Sequence, residues 1–126
     1  MKAFARSFAY ALEGITHALM TERNLKIFLL GYVVSLVMGW MLGLEQSEWP
    51  FVVFAGGMSL VVELVNTALE RLADAFHDHS VKQDDHYHES IKATKDIAAG
   101  ASLICAVVWL SVLILVFVPH VLPYLH

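Results

Sequence analysis

The chain has 126 residues, the size of one domain. It is 58% hydrophobic and 16% charged, which excludes an ordinary soluble globular domain. The net charge of −4 says less than its distribution, because the eight Lys and Arg residues fall only at 2–26 and 71–95.

Residues 2–20 read as an amphipathic surface helix. Phe4, Phe8, Leu12, Ile15 and Leu19 recur at spacings of three and four and make one greasy face, while Lys2, Arg6 and Glu13 interrupt the others. Such a helix lies in the headgroup plane, packs on the protein's own spans, or does both. Arg6, Glu13 and His17 also break any signal-peptide h-region.

Thr21-Glu-Arg-Asn24 breaks the pattern and leads into a first span over about 25–44. Gly39 and Gly43 have small-xxx-small spacing, which points to close helix packing. Ser47 is placed to cap a second span over about 49–74, with Pro50 in its first turn.

Within that second span lies Met-Ser-Leu-Val-Val-Glu-Leu-Val-Asn-Thr-Ala-Leu-Glu, residues 58–70. Glu63, Asn66 and Glu70 share one helical face, and Asp74 extends their stripe. Acidic groups at membrane depth are costly and mark functional sites.

Residues 75–92 are polar and rich in His and Asp, and read as a solvated connection. His77, His79, His86 and His88 do not have zinc-finger spacing, and no Cys joins them. Lys95-Asp96 opens a third span over about 96–118. Residues 98–102 are all small, which leaves room for helix packing or for a ligand. Pro119 and Pro123 end the span, and the single Cys105 inside it excludes an intrachain disulfide.

The fold class is therefore an all-α membrane protein, with an N-terminal surface helix and three transmembrane helices in a single membrane-embedded domain over 1–126. Positive residues stay cytoplasmic, so the N-terminus and the 75–96 connection are expected inside and the C-terminus outside. Trp40, Trp49 and Tyr124 then sit near the outer interface.

Depth brings the ionisable groups together. Counted from Trp49, Glu63 lies about 21 Å along its helix, and Glu70 about two turns further. Glu22, Lys95 and Asp96 enter the same inner layer. That layer suits phosphoryl transfer. Mg2+ takes one or two carboxylates plus substrate phosphates, and Glu22 and Glu70 are the natural pair. Lys95 suits a phosphate. Glu63 suits removal of a proton from a lipid hydroxyl, with Asn66 orienting either partner. No phosphate-binding glycine loop is present. A lone subunit is expected to leave part of the stripe near lipid, which favours a homo-oligomer with shared sites.

The chain resembles the small integral-membrane lipid kinases of bacteria, the diacylglycerol kinase/undecaprenol kinase family. The likeness rests on Glu63-Leu-Val-Asn66-Thr-Ala-Leu-Glu70, on Lys95-Asp-Ile-Ala-Ala-Gly-Ala101 and on Thr21-Glu-Arg-Asn24. It implies a homotrimer that transfers the ATP γ-phosphate to a lipid alcohol, assisted by Mg2+. By the same likeness Glu63 is the general base, Glu22 and Glu70 are metal ligands, and Lys95 and Asp96 contact nucleotide. Arg6, Tyr10, His86, Tyr87 and His88 resemble further nucleotide-contacting positions. The stretch between Asp74 and His86 is longer than usual in the family, and the surface-helix arginine of some members falls on Ala3.

The motif details favour undecaprenol as acceptor, with diacylglycerol next. No nucleic-acid partner is expected. The alternatives are a small proton-coupled transporter using Glu63 as carrier, and a non-enzymatic membrane adaptor.

Overall fold

A computed structural model describes residues 2–79 and 85–124, with side chains for all of these except 77–79 and 85–87. The described residues contain no strand. Four helices follow in order, α1 (Lys2–Thr21), α2 (Arg23–Leu42), α3 (Trp49–His79) and α4 (Asp85–Val121), and a 3-10 turn closes at Leu122–Tyr124. α2, α3 and α4 are long and apolar enough to cross a membrane. The expected layout of one surface helix and three spans is the one that forms.

α2 stops at Gly43, whose φ of 70° is open to glycine without strain. The Gly43 N–H donates to the Trp40 carbonyl at 3.3 Å, and the Leu44 N–H donates to the Gly39 carbonyl at 3.1 Å. These two bonds make a Schellman stop, and Leu44 folds back into the core. Gly43 is thus a helix end, and only Gly39 of the glycine pair serves close packing. A Cβ on Gly39 would lie 3.2 Å from the Trp49 ring and 3.3 Å from Leu44.

The start of α3 also differs from expectation. Ser47 donates to Glu45 Oε2 at 3.4 Å and does not cap the helix. The Glu48 carbonyl accepts the Phe51 N–H at 3.1 Å, while the Glu48 carboxylate accepts the Glu45 N–H at 2.8 Å. Pro50 sits in the first turn as expected.

The solvated connection expected over 75–92 is largely helical, since α3 runs to His79 and α4 begins at Asp85. The physical reason is plain. No Gly or Pro occurs between Gly57 and Gly100, and polar composition signals exposure without breaking a helix.

α3 and α4 share the largest interface, α2 packs mainly on α3, and α1 touches α2 and α3 lightly. Along α3, Val52, Gly56, Ser59, Glu63 and Asn66 are buried at alternating steps of four and three. The facing stripe of α4 runs through Lys95, Ala98, Ser102, Cys105 and Trp109 with the same alternation. This is the period of two helices packed at a shallow angle. Contacts of Ser59 with Cys105, Glu63 with Ser102 and Asp74 with Lys95 fix an antiparallel register.

Trp109 wedges into the middle of the bundle. Its ring lies 6.2 Å from Phe28 and 6.5 Å from Tyr32, between centroids. Glycines make the space: a Cβ on Gly31 would come within 2.9 Å of the Trp109 ring. By contrast, α1 buries only Ala18 and leaves Phe4, Phe8, Leu12 and Ile15 exposed. Its greasy face is thus not used up by the protein's own spans, which fits a helix in the headgroup plane.

A Cβ on Gly56 would lie 2.3 Å from the Tyr32 ring, whereas on Gly57 it meets only the Tyr32 hydroxyl at 3.9 Å. Gly56→Ala should therefore lower stability in detergent by about 1–3 kcal/mol. Gly57→Ala should be neutral or mildly stabilising. Thermal melts of the two purified variants check this, and equal melting points would refute the packing assignment.

Candidate functional site

The polar groups of the spans gather in three places towards one end of the bundle. The first is the α3–α4 seam. Glu63 is 3% exposed and Asn66 5% exposed. Both are thus covered within one subunit, while Glu70 is half-buried and Asp74 exposed, the part of the stripe that a lone subunit leaves open. The alternating four–three spacing turns both side chains onto α4. The Ser102 hydroxyl on α4 donates to Glu63 Oε2. Asn66 Nδ2 donates to Glu70 Oε1 at 3.1 Å, and Asn66 Oδ1 is buried with no partner. Asn66 also lines a cavity of about 280 Å³ between α3 and α4, walled by Val62, Leu69, Ile97 and Ala101.

The second place lies at the end of the seam. Asp74 continues the face of Glu63 and Glu70, as expected, and is exposed where it reaches the end of the seam. Lys95 Nζ donates to Asp74 Oδ1 at 2.7 Å. A cavity of about 510 Å³ is lined by Asp74, His88, Lys92, Lys95 and Asp96. Of the expected nucleotide contacts, His88, Lys95 and Asp96 therefore share one hollow. The side chains of His86 and Tyr87 lie outside the described residues.

The third place is the corner where α1 meets α2. Glu22 holds the N-cap position of α2 in an extended conformation, with φ −96° and ψ 123°. Arg71 from α3 donates to Glu22 Oε1 through Nη2 at 2.8 Å and Nε at 3.2 Å. Its Nη2 also donates to Thr21 Oγ1. A hollow of about 400 Å³ between α1 and α3 is bounded by Tyr10, Gly14, His17, Thr67 and Arg71. Arg6 is exposed elsewhere on α1.

Among the described residues no three His, Cys, Asp or Glu side chains are grouped so as to hold a metal. Glu22 faces Arg71, and Glu70 faces Asn66. Carboxylate oxygens are the ligand type that Mg2+ prefers, and these two are held by separate partners on α3.

Sequence reasoning missed Ser102 and Arg71 as site residues. Ser102 carried a weak signal, as a hydroxyl seven residues beyond Lys95 on the same face. Arg71 carried none, because its partner is 49 residues away.

Comparison with known proteins gives a consistent result. The sequence profile described as prokaryotic diacylglycerol kinase matches residues 9–117. The chain is 32% identical over 119 residues to the undecaprenol kinase of Bacillus subtilis, covering 94% of this chain and 91% of that one. It is 35% identical over 101 residues to a diacylglycerol kinase of Synechocystis, covering 80% of this chain and 54% of that longer protein. A diacylglycerol kinase of Helicobacter pylori is 26% identical over 111 residues, 86% of this chain and 81% of that one.

The Arg71–Glu22 tie yields a test. Arg71→Gln should release the α1–α2 corner from α3. Because both side chains are partly exposed, global stability should fall by about 1 kcal/mol or less. Amide exchange over 17–26 should nevertheless become faster. Unchanged exchange there would show that the corner is held by other contacts.

Proposed function

The chain belongs to the prokaryotic diacylglycerol kinase family, and from that membership we propose that Glu63 is the base that activates a lipid hydroxyl for attack on ATP. The protein is a multi-pass membrane lipid kinase, with ATP as co-substrate. The carrying observation is a buried carboxylate, Glu63, followed on the same helical face by the buried Asn66 and its partner Glu70.

The hydroxyl oxygen attacks the γ-phosphorus while Glu63 takes its proton. The bond from the γ-phosphorus to the β,γ-bridging oxygen breaks, and ADP leaves. Asn66 Oδ1, a buried acceptor without a donor, suits a lipid O–H entering from the apolar cavity beside it. Lys95 and Asp96 line the hollow assigned to nucleotide, with His88 at its wall. In the free protein Asp74 holds the Lys95 ammonium, and phosphate takes its place when ATP binds. Arg6 and Tyr10 are assigned to the nucleotide from the surface helix, as are His86 and Tyr87 from the start of α4.

Glu22 and Glu70 are the residues that would hold Mg2+, which would supply neutralisation of charge on the transferred phosphoryl group. This requires Glu22 to exchange its Arg71 partner for the ion. We also assign a homotrimer, as the family likeness implies. Glu70 is only half buried within one subunit, which leaves it open to a neighbour.

The topology is assigned with the N-terminus and the α3–α4 connection in the cytoplasm, as expected for a bacterial inner-membrane protein. The ion pairs Arg71–Glu22 and Lys95–Asp74 tie the cation-bearing helix ends into one layer, while Glu48 and His120 pair at the other end, 3.3 Å apart. Undecaprenol is the assigned acceptor, with diacylglycerol second. The relative that this chain spans almost completely bears the name undecaprenol kinase. The transporter and adaptor readings of Glu63 lapse with the family membership.

Purified protein given labelled ATP, Mg2+ and a panel of undecaprenol, diacylglycerol and ceramide should phosphorylate undecaprenol fastest. Glu63→Gln should reduce the rate by about 10²–10⁴-fold. Faster turnover of diacylglycerol would reverse the substrate order, and a fully active Glu63→Gln would remove Glu63 from the chemistry.

A further inference from the structure

Serine in a membrane-spanning helix ordinarily satisfies its hydroxyl on its own backbone, because no water is at hand. Three span serines here keep a local acceptor: Ser35 donates to the Tyr32 carbonyl at 2.8 Å and Ser111 to the Val107 carbonyl at 2.8 Å, while Ser59 lies within reach of its own Ala55 carbonyl at 3.0 Å as well as the Cys105 carbonyl across the seam at 3.1 Å. Ser102 does not. Its one proton goes across the seam to Glu63 Oε2, and it is 6% exposed there. The bond is thus made at the expense of the local one, by a side chain with no competing water.

From this we propose that Ser102 is a positioning residue for the kinase reaction, holding Oε2 of Glu63 so that the second carboxylate oxygen faces the lipid hydroxyl. The inference rests on Glu63 as the base. A Glu side chain has three rotatable bonds, and the turn of α4 that precedes Ser102, residues 98–101, offers only Ala and Gly. Packing against such small side chains constrains the carboxylate poorly. A single directional bond from the facing helix does constrain it, because the antiparallel register of α3 and α4 is already fixed by Ser59–Cys105 above and Asp74–Lys95 below. Proton transfer is sensitive to placement at the ångström scale, so loss of that bond acts on the chemical step and leaves nucleotide binding alone.

The test compares Ser102→Ala, Ser102→Thr and Ser102→Val, each purified and assayed with ATP, Mg2+ and undecaprenol in mixed micelles beside Glu63→Gln. Thr and Val have nearly the same volume and differ in the hydroxyl, so they separate the bond from the space it occupies. Ser102→Ala and Ser102→Val should lower kcat by about 10- to 100-fold with KM for ATP unchanged. Ser102→Thr should recover most of the lost kcat. Parental kcat in Ser102→Ala, or equal loss in Thr and Val, overturns the positioning role. If Ser102→Thr fails to assemble, kcat of Ser102→Ala at a matched melting point decides. An active Glu63→Gln sinks the underlying assignment of the base, whereas an inactive Glu63→Gln beside a fully active Ser102→Ala removes the positioning role alone.

Discussion

A carboxylate buried between two membrane-spanning helices is the constraint from which the other features follow. Glu63 sits midway along α3, and its neighbours on the seam are apolar or uncharged for many residues towards Trp49. A polar group at that depth must find a donor on protein, since lipid supplies none. α4 supplies it through Ser102. The pairing requires α3 and α4 to run antiparallel, in one register, at a separation that a Ser–Glu contact can bridge. Slipping either helix by one residue would rotate the pair apart and strand the carboxylate.

That register is defended away from the site. Near the centre of the bundle, Trp109 fits a notch that exists because Gly31 and Gly56 lack side chains, and Tyr32 closes it by donating to the Val53 carbonyl at 3.3 Å. Towards the other end, Val52 and Phe117 pack with Leu44, which the Gly43 stop has folded inward. With lipid on the outside as apolar as the core, such close packing and a few interhelical hydrogen bonds supply the cohesion. The ion pairs Arg71–Glu22 and Lys95–Asp74 are partly exposed and add little to it. Their significance is positional. They tie the cation-bearing ends of the helices into one layer.

Much of the candidate site was legible without coordinates. Glu63, Asn66 and Glu70 stood out because an apolar span tolerates polar groups only where they are used, and helical spacing placed them on one face. Family motifs supplied their roles. Two things were illegible. The His-rich segment looked like a loop because it is polar, although it holds neither Gly nor Pro and most of it is helix. Gly43 looked like half of a packing motif, and its positive φ shows it to be a stop.

The amino-acid order alone determined the number of spans, the side on which the cations gather and the helix that carries the acidic face. Each is a local property of hydropathy, charge or period, and a short window suffices to read it. Only the tertiary structure decided which atom each polar side chain meets. Ser102 faces Glu63 from 39 residues away, and Arg71 faces Glu22 from 49. Such partners depend on the relative rotation and sliding of separate helices, which follow from how Trp109 packs against two glycines in the bundle, and no local window contains that information.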